Sequence, residues 1–255
     1  MDNLICNNLV VDENGTLIFG GHSTAELINK YASPMYVMDE ARIRYNMRLY
    51  VSAMRKYFGE GAMPLLASKA ASFKQIYRIA ADENMGTDVV SSGEIYTANA
   101  AGFPMEKAYF HGNNKTDEDI SFAMDNNVGY FVADNIEELD SIDKEAEKRG
   151  IKQKILLRLT PGIDPHTYEA VATGKVDSKF GSAIATGAAE KITVYALCKK
   201  NIELCGFHCH VGSQVFDSDV YLAAAFIMMK FMAEMKEKYA FETKELNLGG
   251  GYGVR

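Results

Sequence analysis

The chain has no basic surplus: 27 Lys and Arg against 34 Asp and Glu leave a formal charge of −7 over 255 residues. Nucleic acids and anionic membranes need a cationic face to neutralise phosphate, so neither is expected as a partner. No uninterrupted apolar run approaches the roughly 20 residues of a bilayer span, and no basic stretch leading into about 7 to 15 apolar residues opens the sequence. A cytoplasmic location is therefore expected. Cysteine is sparse: Cys6, Cys198, Cys205 and Cys209 match no paired zinc-ligand spacing. Reduced, mostly buried thiols and no metal site follow. A site built on His208, Cys209 and His210 would put one ligand on the wrong face of a strand. What is present is ordinary core material, 47% hydrophobic and 24% charged, enough for one large domain or two small ones.

Short apolar runs recur at 65–68, 87–91, 108–112, 129–133, 155–160, 204–210 and 245–248, with helix-like stretches at 73–84, 93–101, 117–126, 136–149, 188–200 and 219–239. The strand starts at 65, 87, 108 and 129 are 22, 21 and 21 residues apart, the period of βαβ units with short connections. An α/β fold with a parallel sheet follows, and its repetition points to a TIM-type (β/α)8 barrel. Closure needs eight strands and seven are visible, so the chain is expected to stop before the last one. Two unpaired sheet edges would then leave this length poorly stable or prone to aggregate. Capping residues agree with the helices: Asn114 and Asn135 precede acidic first turns, and Gly150 follows Lys148-Arg149. Residues 3–20 alternate weakly around Asn14-Gly15, a hairpin signal. The expected division is an N-terminal β element over 1–30 and an incomplete barrel over 31–255. Residues 164–181, rich in turn formers, are expected to form a loop over the barrel mouth.

The reactive residues fall at strand ends. Lys69 follows the first strand, Asp88 and Ser91 lie on or after the second, His111 and Asn113 end the third, and Arg158 lies late in the fifth. His208, His210 and Ser213 end the sixth, and Gly249-Gly250-Gly251 follows the seventh. In a barrel these ends share one face, so the residues converge on one pocket. A lysine closing an apolar strand is expected to be partly desolvated, which suits Schiff-base formation with an aldehyde; a solvated strand-end lysine is the alternative. The glycine triple, beside Ser213, offers backbone N–H groups to a phosphate, or is simply a tight turn. With a histidine able to stack on a flat ring, the set describes pyridoxal 5'-phosphate in a barrel mouth.

Six ordered stretches carry a resemblance: Ala67-Ser68-Lys69-Ala70, Gly86 to Glu94, Phe110 to Lys115, Asp177 to Gly181, His208-Cys209-His210-Val211-Gly212-Ser213-Gln214, and Leu246 to Gly253. Together they resemble the fold-type III pyridoxal-phosphate-dependent decarboxylases, and among these the diaminopimelate decarboxylase family. The resemblance implies Lys69 as the Schiff-base lysine, His210 as the ring stacked on the pyridine, and Ser213 with Gly249, Gly250 and Gly251 as phosphate contacts. Asp88, His111 and Arg158 are implied as supporting pocket residues. It further implies a small amino-acid substrate, meso-2,6-diaminopimelate, converted to L-lysine and carbon dioxide, and a homodimer at full length. The N-terminal strands would belong to a second β-domain whose remainder lies beyond Arg255. The carboxylate that protonates the pyridine is expected there too, so the 255 residues alone are expected to be inactive. Related ornithine, arginine or carboxynorspermidine decarboxylases share the lysine and the His-Val-Gly-Ser wording. A non-catalytic barrel that binds a partner is the alternative of a different class.

Overall fold

The computed structural model describes residues 8–163 and 180–254, in two compact units that meet between Ala62 and Met63. In the first unit β1 (Leu9–Val11) pairs antiparallel with β2 (Leu17–Phe19), which pairs with β3 (His22–Ser23). The expected hairpin is there, and its turn is closed by Asp12: one carboxylate oxygen accepts from the backbone N–H groups of Asn14 (2.9 Å) and Thr16 (2.8 Å). Two helices follow that the strand-seeking reading did not find, α1 (Thr24–Tyr31) and α2 (Glu40–Phe58). Ser23 and Asp39 cap them. Asp39 also accepts from the Asn8 side-chain amide at 2.8 Å, tying the start of α2 to the N-terminal strands. The division expected at residue 30 assigns α2 to the barrel, whereas by compactness it lies with the first unit.

The second unit alternates strand and helix: β4 (Leu65–Ala67), α3 (Lys74–Asp82), β5 (Gly86–Val89), α4 (Ser92–Ala100), β6 (Ala108–Phe110), α5 (Asp117–Asp125), β7 (Tyr130–Ala133), α6 (Ile136–Arg149) and β8 (Gln153–Thr160). The short β9 (Ser182–Ala183) comes next, then α7 (Ala188–Leu197), β10 (Ile202–His208), α8 (Ser218–Tyr239) and β11 (Glu245–Asn247). Pairing is parallel throughout, in the order β4-β5-β6-β7-β8-β10-β11, with β9 attached to β8. The seven expected strands are all present, each within two residues of its expected start.

The sheet is curled like a barrel wall. Tyr109 of β6 donates to the Glu245 carboxylate of β11 at 2.8 Å although three strands lie between them in the sheet, so the bond crosses the concave side. That side is filled by Tyr109, Val132, Leu156 and Cys205 against Met63, Leu65 and Tyr130. The Tyr109 and Tyr130 rings stack at 4.5 Å. The other side carries Val89, Phe110, Phe131, Ile155, Leu157 and Phe207, all buried. Phe207 meets Phe231 of α8 at 5.2 Å. Burial on both sides is why these strands read as unbroken apolar runs instead of alternating ones.

One cap differs from expectation. Thr116, not Asn114, opens α5: its hydroxyl accepts from the Asp119 N–H, and the Asp119 carboxylate reaches back to the Thr116 N–H. Thr116 sits one residue before the helix, where the extended backbone of a cap is allowed. Asn135 and Gly150 bound α6 as expected, Gly150 in the left-handed region at φ 63°. The expected loop at 164–181 lies outside the described residues up to 179.

Candidate active site at the carboxyl ends of the strands

In a parallel sheet all strand ends of one polarity lie along one rim, and the sequence places its reactive groups there. Lys69 sits in a 3-10 turn, Ser68–Ala70, directly after β4. The side chain is exposed, the solvated one of the two expected alternatives, because the turn lifts it clear of the β4 packing. Beneath it Ser68 is fully buried, its hydroxyl 2.6 Å from both the Asp88 carbonyl and the Glu94 carboxylate. Glu94 Oε2 also accepts from the Val90 N–H at 2.8 Å. The turn bearing Lys69 is thus fastened to the end of β5. Asp88 pairs in register with Ala67 on one side and Tyr109 on the other. Its carboxylate lies 3.0 Å from His111 Nε2, just beyond β6.

On the far side of the rim, His208 ends β10 in register with Arg158 of β8 and Asn247 of β11. His208 is buried edge-on against His111, with ring centroids 4.7 Å apart, and its Nδ1 has no hydrogen-bond partner. Burial first, then His111 and the cation of Arg158, hold its pKa well below the usual histidine range, so the ring is neutral. His210 is half-buried. Burial and the nearby Lys69 and Arg158 cations lower its pKa as well, with Asp88 opposing. Four of the expected residues, Lys69, Asp88, His111 and Arg158, are therefore close enough to His210 to act on its charge.

The glycine segment packs onto that ring. A Cβ at Gly249 would stand 2.9 Å from His210 Nδ1, and one at Gly251 would stand 1.9 Å from the Gly212 carbonyl oxygen and 3.2 Å from His210 Cε1. With φ of 76° and 90° as well, both positions are closed to other residues. A Cβ at Gly250, by contrast, would meet nothing within 4 Å. Val215 N–H donates to the Gly251 carbonyl at 2.9 Å and Gly253 N–H to the Val215 carbonyl at 2.9 Å, lacing this segment to the loop that presents the exposed Ser213.

Arg158 is half-buried, stacked on the Phe180 ring at 4.2 Å, with its Nε 3.9 Å from Asp134 Oδ1. Behind it lies a group that strand-end reasoning did not select. Lys115 Nζ donates to the Gly112 carbonyl (2.8 Å), the Val132 carbonyl (2.8 Å) and Glu138 Oε1 (2.7 Å). Burial depresses the Lys115 ammonium and raises the Glu138 carboxyl, while their contact opposes both shifts. The signal was a capping pattern: Asn135 and Glu138 mark the start of α6, and nothing in a cap says that its glutamate turns inward to a lysine. Among the described residues no cluster of His, Cys, Asp or Glu suits a metal ion.

An exposed lysine, a half-buried imidazole and a glycine segment with open space above its middle residue, all on one rim, fit a flat phosphorylated aldehyde. The class they define is a pyridoxal-phosphate-binding α/β barrel. Residues 41–255 match the family of pyridoxal-dependent decarboxylases in its pyridoxal binding domain, and the chain belongs to that family. It is 43% identical to the diaminopimelate decarboxylase of Bacillus methanolicus over 96% of this chain and 56% of that protein. With the Bacillus subtilis diaminopimelate decarboxylase the identity is 40%, over 96% and 55%. The crystal structure of diaminopimelate decarboxylase from Methanocaldococcus jannaschii superposes with a TM-score of 0.88 at 32% identity, covering 97% of this chain and 57% of that one. A co-complex of that protein with L-lysine has also been solved. The chain spans a little over half the length of these relatives.

Proposed function

We propose that this chain is the cofactor-binding barrel of a decarboxylase acting on meso-2,6-diaminopimelate, giving L-lysine and carbon dioxide. The observation that carries the reading is the convergence of Lys69, Asp88, His111, Arg158 and the glycine segment around His210. Pyridoxal phosphate supplies an electron sink for the charge left when carbon dioxide departs. Lys69 supplies the amine that holds the aldehyde, and its exposed position leaves that amine open to exchange with a substrate amine. His210 offers its face to the pyridine. Kept neutral by burial and two cations, it adds no charge repulsion against a protonated ring. The N–H groups of Gly250 and Gly251 and the Ser213 hydroxyl would hold the phosphate, the Gly249 N–H being spent on Asn247 Oδ1 at 2.8 Å. Asp88, bonded to His111, fixes that ring against His208.

Substrate preference is read with the cofactor in place. Adding meso-2,6-diaminopimelate is expected to perturb the visible absorbance band at lower concentration than ornithine or arginine does. A preference for ornithine or arginine would move the chain to a related decarboxylase. No response to any amino acid would favour a barrel that binds a partner. The homodimer, which rests on the resemblance, and the cytoplasmic location belong to the same proposal.

A further inference from the structure

Three strand ends of the rim are joined by buried charge. Lys115, with 2% of its side chain exposed, spends its three N–H donors on Gly112 beyond β6, Val132 of β7 and Glu138 of α6. Glu138, 3% exposed, uses its other oxygen to accept from the Asp134 N–H at 3.1 Å. Asp134 in turn accepts from the Gly181 N–H at 3.0 Å through Oδ2, while Oδ1 has no hydrogen bond and faces Arg158. Gly181 lies against the backbone of the same arginine: a Cβ there would stand 2.9 Å from the Arg158 carbonyl oxygen.

Desolvating an ammonium and a carboxylate is costly, and an apolar pair would brace strand ends as well by packing. What an apolar pair does not provide is direction. A carboxylate fixed by one lysine sets where the Asp134 N–H points, and so where its carboxylate meets Arg158. We propose that Lys115, Glu138 and Asp134 form a positioning relay that holds the Arg158 guanidinium beside His210 and the Gly181 segment against it. This rests on the pyridoxal-phosphate reading above, in which His210 stacks on the cofactor. The groups facing His210 are Lys69 from the turn after β4, Asp88 of β5, His111 beyond β6 and Arg158 of β8, with Gly249 and Gly251 packed on the ring. Of these cations, Arg158 is the one the relay controls.

The test is a pyridoxal-phosphate titration of the whole chain, followed by absorbance across a range of pH, with the thermal midpoint of each protein measured alongside. Asp134→Asn keeps the side-chain shape and removes the charge that meets Arg158. It is expected to weaken binding about tenfold or more, the scale seen when outer-shell groups are lost. It also moves the acid limb of binding to higher pH, because an imidazole relieved of a neighbouring cation takes up its proton earlier. Lys115→Met/Glu138→Gln, which removes both buried charges together, is expected to act in the same direction, and adding Asp134→Asn to it to cost nothing more. Unchanged affinity with an unmoved acid limb, a limb moved to lower pH, or losses that add in the triple variant would each overturn the relay. If the double variant melts, Asp134→Asn alone decides. If the unaltered chain shows no Lys69-dependent band, it is the cofactor reading that falls instead.

Discussion

Cys205 lies within β10 and Cys209 directly after it, and both are buried. Burial pushes the Cys205 thiol to about 11, and burial, partly offset by Arg158, pushes Cys209 to about 12. Cys198 is exposed. Brief alkylation of the folded chain at mildly alkaline pH is therefore expected to label Cys198 and spare the other two until denaturant is added, as peptide mapping would show. Equal labelling of Cys209 would mean that the wall behind the site is open. Gly251 makes a second test, because its φ of 90° and the 1.9 Å approach to Gly212 combine strain with a clash. Gly251→Ala is expected to cost about 1–3 kcal/mol through the backbone alone, measured by urea unfolding, and to lose cofactor affinity with it. At this scale the sequence was informative about position: Lys69, Asp88, His111, Arg158 and His210 all lie at or just beyond strand ends, as read. It was uninformative where a side chain's role depends on which way it turns. Glu138 reads as a first-turn acid behind the Asn135 cap and is one, yet its carboxylate faces inward to Lys115. The choice between a desolvated and a solvated Lys69 stayed open for a similar reason: a one-turn 3-10 helix is invisible to an apolar pattern.

Helix α6 shows how local signals set an element and what holds it to its neighbour. Asn135 caps it, Gly150 ends it, and Arg149 in its last turn reaches Asp125 (2.7 Å) and the Ser121 hydroxyl (3.0 Å) of α5 while contacting Glu145. Hydrogen bonds from Lys148, then Arg149, hold the Glu145 carboxyl down from 4.5 to about 2. A depressed carboxylate stabilises the fold above its unfolded pKa, and that contribution is lost as pH falls through the folded one. Glu145→Gln is thus expected to lower stability near neutrality by less than about 1 kcal/mol, as befits pairs close to solvent. The gap to the unaltered protein should close as pH drops from about 4.5 towards about 2. A gap that widens on acidification would contradict the assignment. The seven strands and six helices of the barrel unit were legible because each is short, apolar and punctuated by caps or glycine. Helices α1 and α2 were missed although α2 carries Ile43, Met47, Val51 and Met54 at helical spacing, because the reading followed short apolar runs of strand length, which α2 lacks. The two-residue β9 is too short to leave a pattern.

For the molecule as a whole, the curl of the sheet brings residues far apart in sequence onto one rim. Its clearest mark is the Tyr109–Glu245 hydrogen bond, formed across the concave side between residues 136 apart. Burial and the neighbouring Glu245 carboxylate raise the Tyr109 pKa, so the phenol stays protonated and donating. Tyr109→Phe removes a hydrogen bond to a charged group and is expected to cost about 1.5–3 kcal/mol in urea unfolding. No loss would mean that the curl is held by packing alone. Topology could be inferred from the strand period, but this closure could not, because no local pattern says which tyrosine faces which glutamate. Identity to the Bacillus and Methanocaldococcus relatives supports the same barrel over slightly more than half their length. The central claim, that the rim captures pyridoxal phosphate through Lys69, is tested most directly by mass spectrometry of the chain after incubation with the cofactor and borohydride reduction. One phosphopyridoxyl adduct on the peptide carrying Lys69, abolished by Lys69→Ala, is the predicted result. No adduct, or adducts spread over other lysines and unaffected by that substitution, would contradict it.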